Sequence, residues 1–523
     1  MKGFKMKSVA KSIGIVTILM LFSRVLSLIS SSFYAAKFGR TIEMEIYSYS
    51  LQVPLIIFTS LGTALATVVI PIFSGHITTG DKERAYRFAD KIITITVVLT
   101  LAFSALCILA TPLITYLTPK FRSQNYELTV FALRVMFPIM VFYGLNYIFQ
   151  GILQSFGKFN MPALVSIPSS LIVILYSLFL SHRFGVKGLI VATFIGLTTQ
   201  ALILIPPIFK TEYRFSPSLK FKDQDIITAA KLVPPVLIGT SAYSVNMLFN
   251  NIFCSRFEDN TVFMMNWVQN LVLYAVLAFV YSVTAVIFPR LSMYAAKNDM
   301  AEFKSSLVKI LSSVTYILIP VTAGFIAVRY QLIELLIMWG KINQDDVNFA
   351  AVLMALYCIG IVGFGMKEVL DRAFYSLKDT RKPAINGVIM MVINISLSLI
   401  LARFIGVFGI PLAYSISSLS GSLILIFLVR KKIGNLGLRS FGINAIKVIA
   451  ASSVMFLLVV GIRMLLDKFF FGMFLTDRSV KLFIPVALGA ASYFLMTYFM
   501  KVEEANDMLG KVLSKLPIKK KMG

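Results

Sequence analysis

Long apolar runs, separated by short polar segments, recur along the whole chain. Each run has about twenty or more residues, enough for an α-helix to cross the ~30 Å hydrocarbon core of a bilayer. Counting runs by length predicts about fourteen transmembrane helices, and therefore an all-α polytopic membrane protein. The predicted spans are 10–36, 45–75, 91–117, 128–156, 161–181, 187–209, 227–254, 262–288, 305–328, 348–377, 383–402, 408–429, 443–466 and 480–500.

Composition and charge agree with this assignment. The 523 residues are 58% hydrophobic, and the net charge of +26 comes from 50 Lys and Arg against 24 Asp and Glu. Such an excess suggests nucleic acid in a soluble protein, but in a membrane protein it indicates positively charged cytoplasmic loops. The basic residues concentrate at the N-terminus, in alternate loops and in the C-terminal tail. We therefore predict that both termini are cytoplasmic and that the first apolar run is a transmembrane helix, since no convincing signal-peptide cleavage site follows it.

The chain contains an internal repeat with an offset of about 220 residues. The matching segments are 66–92 with 284–310, 155–165 with 376–386, and 184–192 with 405–413. Spans 1–6 and 7–12 are thus predicted to be two parallel six-helix lobes around a central cavity, which is a transporter layout. The predicted domains are 1–222 (N-lobe), 223–435 (C-lobe), and 436–523 (two extra helices and a basic tail).

Arg24 is an isolated charge inside the first apolar run. An arginine at a helix centre costs roughly 2.5–3.5 kcal/mol on insertion scales, so it needs a cavity or a partner. We favour a cavity-facing cation for an anionic substrate, because the guanidinium fork donates two parallel hydrogen bonds to phosphate or carboxylate. The alternatives are an ion pair, for example with Glu45, or snorkelling to the interface.

Two amides occupy the same place in the two repeats. Gln52 lies just before Pro54, and adding the repeat offset to its number gives the position of Asn270. Amides can bind sugars or phosphates through neutral hydrogen bonds, and they can equally join helices within a membrane bundle.

Span 10 carries four charged residues. Lys367 and Asp371 are four residues apart and could pair on one helix face. For Asp371 and Arg372 we favour a self-neutralising pair near the cytoplasmic end, and we take the deeper Lys367 as the better functional candidate.

Spans 7 and 11 are rich in neutral polar residues. Asn246, Asn250 and Asn251, with Asn394 and Ser398, could offer oxygens to a small cation, although hydrogen-bonded packing is the preferred interpretation. The sequence shows no convergent carboxylate pair, metal cluster or nucleophile–base arrangement, so we predict neither an enzyme nor a metal site.

Several motifs resemble one family. "FSRVLSLISSSFYAAKFG", "VIPIFS", "QGILQSFGKFNMPALV", "IFPRLS" and especially "DRAFYSLKDTRKPAINGVIMMVIN" are similar to the MurJ (MviN) family along nearly the whole chain. These are lipid II flippases of the multidrug/oligosaccharidyl-lipid/polysaccharide exporter superfamily.

The resemblance implies movement of undecaprenyl-pyrophosphate-linked peptidoglycan precursor to the outer leaflet by alternating access. It implies a cavity for the anionic head group and a groove along the extra helices for the lipid tail. It also implies a multi-pass monomer in the bacterial cytoplasmic membrane, in contact with membrane lipids and cell-wall synthesis machinery. Sodium, proton or membrane potential would drive the cycle, and no cofactor is implied.

The sequence departs from the family pattern in the cavity. In the first span Arg24 matches, but Ser30 and Ser31 replace an arginine and an acid. Gln52 and Asn270 each replace an arginine in spans 2 and 8.

Positions associated with the coupling ion also differ, since Asn250 and Ser398 stand where some members have acids, whereas Lys367 matches a family lysine. The predicted substrate-binding residues are Arg24, Ser30, Gln52, Asn270 and Lys367. The predicted ion-coupling residues are Glu45, Asn250, Asn394 and Ser398. The alternatives are a flippase for another undecaprenyl-pyrophosphate-linked oligosaccharide, a cation-coupled drug exporter, and a membrane-embedded glycosyltransferase or scaffold.

Overall fold

The computed structural model describes residues 19, 22–156, 158, 160–211, 213–218, 223–257, 261–469 and 475–506, and within these ranges the regular secondary structure is helical. The helices are α1 (22–38), α2 (Ile42–Thr78), α3 (Lys82–Leu109), α4 (Thr111–Ile114), α5 (Pro119–Met136), α6 (Ile139–Ser155), α7 (Asn160–Leu164), α8 (Ser166–Leu175), α9 (Ser181–Leu202), α10 (Ile205–Phe209), α11 (Gln224–Cys254), α12 (Val262–Ala296), α13 (Met300–Ala327), α14 (Arg329–Ile337), α15 (Gln344–Ile359), α16 (Ile361–Ser376), α17 (Arg381–Ile405), α18 (Gly409–Ile433), α19 (Leu438–Phe469) and α20 (Leu475–Phe499).

Corresponding turns of the two sequence repeats have the same local structure. Asp81 caps the start of α3 and Asp299 caps the start of α13, each accepting a main-chain N–H at 3.1 Å from the residue three positions on. Before these caps, Gly80 and Asn298 have left-handed φ values of 84° and 54°. Glycine and asparagine are the residues that tolerate this conformation, so both repeats reverse direction by the same means.

Two further positions support the repeat. Gly185 has φ 56° and ψ −147°, and Gly406 has φ 59° and ψ −143°, a combination open only to glycine. The hydroxyls of Ser74 and Ser155 lie 2.7 Å apart, and those of Ser292 and Ser376 lie 3.2 Å apart. The sequence alignment had placed Ser74 opposite Ser292.

The chain divides into two compact units. The first comprises the residues up to Trp267 with Trp339–Asn343, and the second comprises Val268–Met338 and the residues from Gln344 onward. The predicted domain boundaries at 222/223 and 435/436 describe sequence repeats, and they stay a prediction.

Each unit is organised around one central helix or helix pair. In the first, α2 packs against α5, α6 and α11. In the second, α18 packs against α16 and α17, while α19 and α20 pack on α13 through a buried apolar cluster that includes Tyr316, Met455 and Tyr493. The Tyr493 hydroxyl also donates to the Tyr316 carbonyl at 2.6 Å. The two extra C-terminal helices are therefore attached to the predicted span 9.

Eight helical segments in the described ranges are long and apolar enough to cross a membrane. They overlap predicted spans 3–6 and 9–14, so the protein is a multi-pass membrane protein, and the exact number of fourteen stays a prediction. Predicted spans 1, 2, 7 and 8 fall on α1, α2, α11 and α12, and residues 10–18, 20 and 21 of predicted span 1 lie outside the described residues. The three cysteines, Cys107, Cys254 and Cys358, are buried and unbridged, as expected of small apolar residues.

Candidate substrate-binding and ion-coupling residues

The first helix presents a buried serine face and an exposed arginine. Ser23 donates to the Ala163 carbonyl at 2.8 Å, and the hydroxyls of Ser27 and Ser170 lie 3.2 Å apart. Ser30, one turn further along this face, is buried, whereas Arg24 is exposed. The serines therefore attach α1 to the α7–α8 region.

The amide positions of spans 2 and 8 lie beside a hydrogen-bond network that the sequence did not reveal. Asn266 Nδ2 on α12 lies 2.7 Å from Asn251 Oδ1 on α11 and 3.2 Å from Ser48 Oγ on α2. Gln52 and Asn270, both half-buried, are one helical turn beyond Ser48 and Asn266 on their own helices. Asn266 is the repeat counterpart of Ser48, because the two residues are separated by the repeat offset of 218 residues. Comparing polar residues at equivalent repeat positions could have indicated this network.

Lys367 on α16 is held by carboxylates of its own helix. Its Nζ lies 2.6 Å from Asp371 Oδ2 and 3.8 Å from Glu368 Oε1. The preferred pairing of Asp371 with Arg372 is therefore wrong: the Arg372 guanidinium lies over the Phe288 ring, 5.8 Å from its centroid. Adjacent helical residues point about 100° apart, so positions 367 and 371 face each other and positions 371 and 372 do not.

Glu45 is fully buried at the start of α2. Its carboxylate accepts hydrogen bonds from Lys120 Nζ at 3.1 Å and from the Val262 N–H at 2.6 Å, and Lys120 Nζ also reaches the Phe257 carbonyl at 2.8 Å. Glu45 thus joins the beginnings of α2, α5 and α12. Its predicted ion-coupling role stays a prediction.

The other predicted ion-coupling residues have buried polar atoms to which the described part of the chain offers no hydrogen bond. These atoms are Asn250 Oδ1, Asn394 Oδ1 and Nδ2, and Ser398 Oγ. Asn394 and Ser398 are one turn apart on α17 and are both fully buried. Buried polar groups normally find a partner, and the ion-coupling role of these residues stays a prediction. Hydrogen-bonded packing, the preferred interpretation, does hold for Asn251, which also donates to the Met247 carbonyl at 2.9 Å.

An ion-pair cluster at the predicted cytoplasmic side was also missed. Arg84 donates to Asp225 through Nε at 2.8 Å and through a terminal nitrogen at 2.9 Å, and His76 Nε2 lies 3.0 Å from the same carboxylate. Lys91 pairs with Asp223 beside it. In the sequence, Arg84 and Lys91 are only two of the basic residues that concentrate in alternate loops. The pairs fix the start of α11 to α2 and α3.

Arg24, Ser30 and Gln52 belong to the first compact unit, and Asn270 and Lys367 belong to the second. That all five line one cavity therefore stays a prediction. The ion-coupling candidates divide in the same way, with Glu45 and Asn250 in the first unit and Asn394 and Ser398 in the second.

The sequence of these helices matches one family model over most of its length. The model, described as "Lipid II flippase MurJ", covers residues 34–482. The chain belongs to the MurJ family. This membership accounts for the resemblance of "DRAFYSLKDTRKPAINGVIMMVIN" to that family.

Relatives of the chain include proteins named "Probable lipid II flippase MurJ". The protein from Buchnera aphidicola subsp. Schizaphis graminum is 23% identical over 506 residues, with 95% of this chain and 98% of the relative covered. The protein from Bdellovibrio bacteriovorus is also 23% identical, over 518 residues, with 95% and 96% covered.

Solved structures show the same fold. "Lipid II flippase MurJ, inward closed conformation" matches with a TM-score of 0.77 at 22% identity, covering 93% of this chain and 98% of that one. An inward-facing multidrug resistance MATE family transporter of the MOP superfamily matches with a TM-score of 0.66 at 17% identity, covering 81% and 99%. The MurJ-type transporter fold predicted from the sequence is therefore confirmed.

Proposed function

We propose that this protein moves lipid II across the cytoplasmic membrane by alternating access. The observation that carries the proposal is the family match over residues 34–482, which extends through both compact units and both sequence repeats. The substrate's diphosphate needs cationic partners inside the membrane, and Arg24 and Lys367 are the residues we assign to it. Ser30, Gln52 and Asn270 would contribute neutral hydrogen bonds to the head group.

The proposal includes the setting of the protein. We infer a transporter and not an enzyme, with both termini on the cytoplasmic side of the inner membrane. Its partners would be membrane lipids and cell-wall synthesis machinery, and it would act as a monomer. The apolar cluster between α13, α19 and α20 would support the lipid-tail groove.

A second candidate is a flippase for another undecaprenyl-pyrophosphate-linked oligosaccharide. The observation that favours it is the neutral pair Gln52 and Asn270, which gives the site fewer cations than the family pattern. The MATE resemblance, at 17% identity, concerns the fold alone, so a cation-coupled drug exporter is the least supported alternative.

Complementation separates the first two candidates. The gene is expressed in one strain depleted of its lipid II flippase and in a second strain lacking the flippase of a different lipid-linked oligosaccharide. Growth of the first strain alone supports the lipid II proposal. Restoration of the surface polysaccharide in the second strain alone would establish the other candidate.

The coupling ion is a separate part of the proposal. Asn250 Oδ1 in the first compact unit, and Asn394 Oδ1 and Ser398 Oγ in the second, have no hydrogen-bond partner among the described residues. Neutral oxygen ligands of this kind suit a hard cation such as sodium. A sodium-coupled cycle would lose transport in sodium-free medium at constant membrane potential. Transport unchanged by sodium removal would leave proton or membrane potential as the driving force.

A further inference from the structure

The charged pair on α16 has an unsatisfied carboxylate oxygen. Lys367 Nζ donates to Asp371 Oδ2 at 2.6 Å, while Asp371 Oδ1 has no hydrogen-bond partner among the residues that the structure describes. Asp371 is only 7% exposed. A buried carboxylate in this state depends on a single cation for its charge balance.

The first sequence repeat has a neutral version of this pair. Asn146 and Gln150 stand 221 residues before Lys367 and Asp371. Gln150 Nε2 donates to Asn146 Oδ1 at 2.6 Å, the same distance as between Lys367 and Asp371. Helix α6 therefore makes the same contact, between residues one turn apart, with two neutral side chains. Packing alone does not explain why the second repeat has a lysine and an aspartate at these positions.

Among the residues that the structure describes, the charged and titratable groups that interact with Asp371 lie on its own helix. They are Lys367, Glu368 and Tyr375, and Arg372 interacts in turn with Glu368 and Tyr375. Helices α12, α13, α15, α17 and α18 pack against α16. Within their described residues, which include the exposed Arg290 of α12, none contributes an ion pair to this group. Arg372 lies over the Phe288 ring and does not substitute for Lys367.

Release of Lys367 would therefore leave Asp371 as a buried, unpaired anion. Such a charge is unfavourable in a buried site, and a buried carboxyl group avoids this cost by binding a proton.

We propose that Asp371 is a proton-binding site that couples capture of the head-group diphosphate by Lys367 to uptake of one proton. The identity of the ligand rests on the proposed function. On binding, the Lys367–Asp371 ion pair breaks, Lys367 donates to a phosphate oxygen, and a proton from solvent forms an O–H bond on Asp371. On release, Lys367 returns to Asp371 and the proton leaves. One proton thus accompanies each lipid.

The test is the pH dependence of ligand affinity. Purified full-length protein in nanodiscs is titrated with lipid II, and in parallel with undecaprenyl diphosphate, between pH 6 and 8. Affinity should rise as pH falls, approaching about tenfold per pH unit for one linked proton.

Asp371→Asn should keep binding the ligand and lose this dependence of affinity on pH. The double variant Lys367→Asn with Asp371→Gln, which installs the neutral pair of the first repeat, should bind weakly at every pH. Gln150→Ala, at the repeat-related position, should keep the wild-type slope.

The outcomes separate this proposal from the proposed function. A flat wild-type profile, or an unchanged slope in Asp371→Asn, overturns the proton site while leaving a lipid II flippase intact. Binding of undecaprenyl diphosphate but not lipid II contradicts the lipid II function, and the slope with the former still decides the proton site. Binding of neither probe by protein that elutes as a folded species overturns both.

Discussion

Asn266 Nδ2 lies 3.2 Å from Ser48 Oγ, although the two residues are 218 positions apart and hold equivalent places in the two sequence repeats. The same Asn266 amide lies 2.7 Å from Asn251 Oδ1. The buried Asn266 side chain thus joins α2, α11 and α12. These helices carry four of the predicted site residues, namely Glu45, Gln52, Asn250 and Asn270.

We expect Asn266→Ala to lower the free energy of unfolding by about 1 kcal/mol, because hydrogen bonds between membrane helices contribute on this scale. The check is thermal unfolding in nanodiscs, with the exposed Asn348→Ala as the control. Equal melting temperatures for Asn266→Ala and wild type would show that the network does not stabilise the bundle.

Gly406→Ala should destabilise the protein by about 1–3 kcal/mol, since alanine does not adopt φ 59° with ψ −143° without strain. A Cβ at this position would meet no atom within 4 Å, so the effect isolates the backbone. Gly387→Ala is the matched control: it also has open space, but it lies inside α17, where alanine favours the helix. In denaturant unfolding, the midpoint should fall for Gly406→Ala and rise for Gly387→Ala. A shift of both midpoints in the same direction would contradict the strain argument.

Acid should weaken the attachment of α11. The hydrogen bond from Lys91 holds the pKa of Asp223 below its usual range. A lowered folded-state pKa contributes stability that is complete above the unfolded value of about 3.9 and is lost as pH falls through the folded value. The melting temperatures of wild type and Asp223→Asn should therefore differ at pH 6 and converge as the pH falls below the usual carboxyl range. Exposed Asp345→Asn serves as the control, and a difference that persists in acid would contradict this account.

Arg24→Ala should abolish complementation, because the first span would lose its cation for the diphosphate. Arg24→Lys should retain part of the activity, since lysine keeps the charge and loses the guanidinium fork. Lys378→Ala, on the loop between α16 and α17, should support normal growth. Full growth with Arg24→Ala, at wild-type protein levels, would favour an ion-pair or snorkelling role for this arginine.

The repeat could be predicted from the sequence because each copy needs the same local chemistry at its turns. Asp81 and Asp299 cap helices in the same way, and Gly185 and Gly406 share one backbone conformation. Such features depend on a few neighbouring residues, so they remain visible in the sequence.

The side-chain partners could not be predicted because they depend on packing. Lys367, and not Arg372, pairs with Asp371 because of the direction each side chain takes from α16. Arg84 meets Asp225 from 141 residues away, and no local pattern indicates that contact. Predicted span 10 is broken at Gly360, where a side chain would collide with the backbone of Ser415 on α18.

The most direct test of the central claim is the exposure of lipid II on the outer leaflet in cells where this chain is the only lipid II flippase. Outer-leaflet lipid II is measured with an externally added, membrane-impermeant enzyme that cleaves it. Depletion of this protein should abolish cleavage while total lipid II accumulates. Re-expression of the protein should restore cleavage. Cleavage that continues at the normal rate after depletion, in cells lacking any paralogue, would contradict the assignment of this protein as a lipid II flippase.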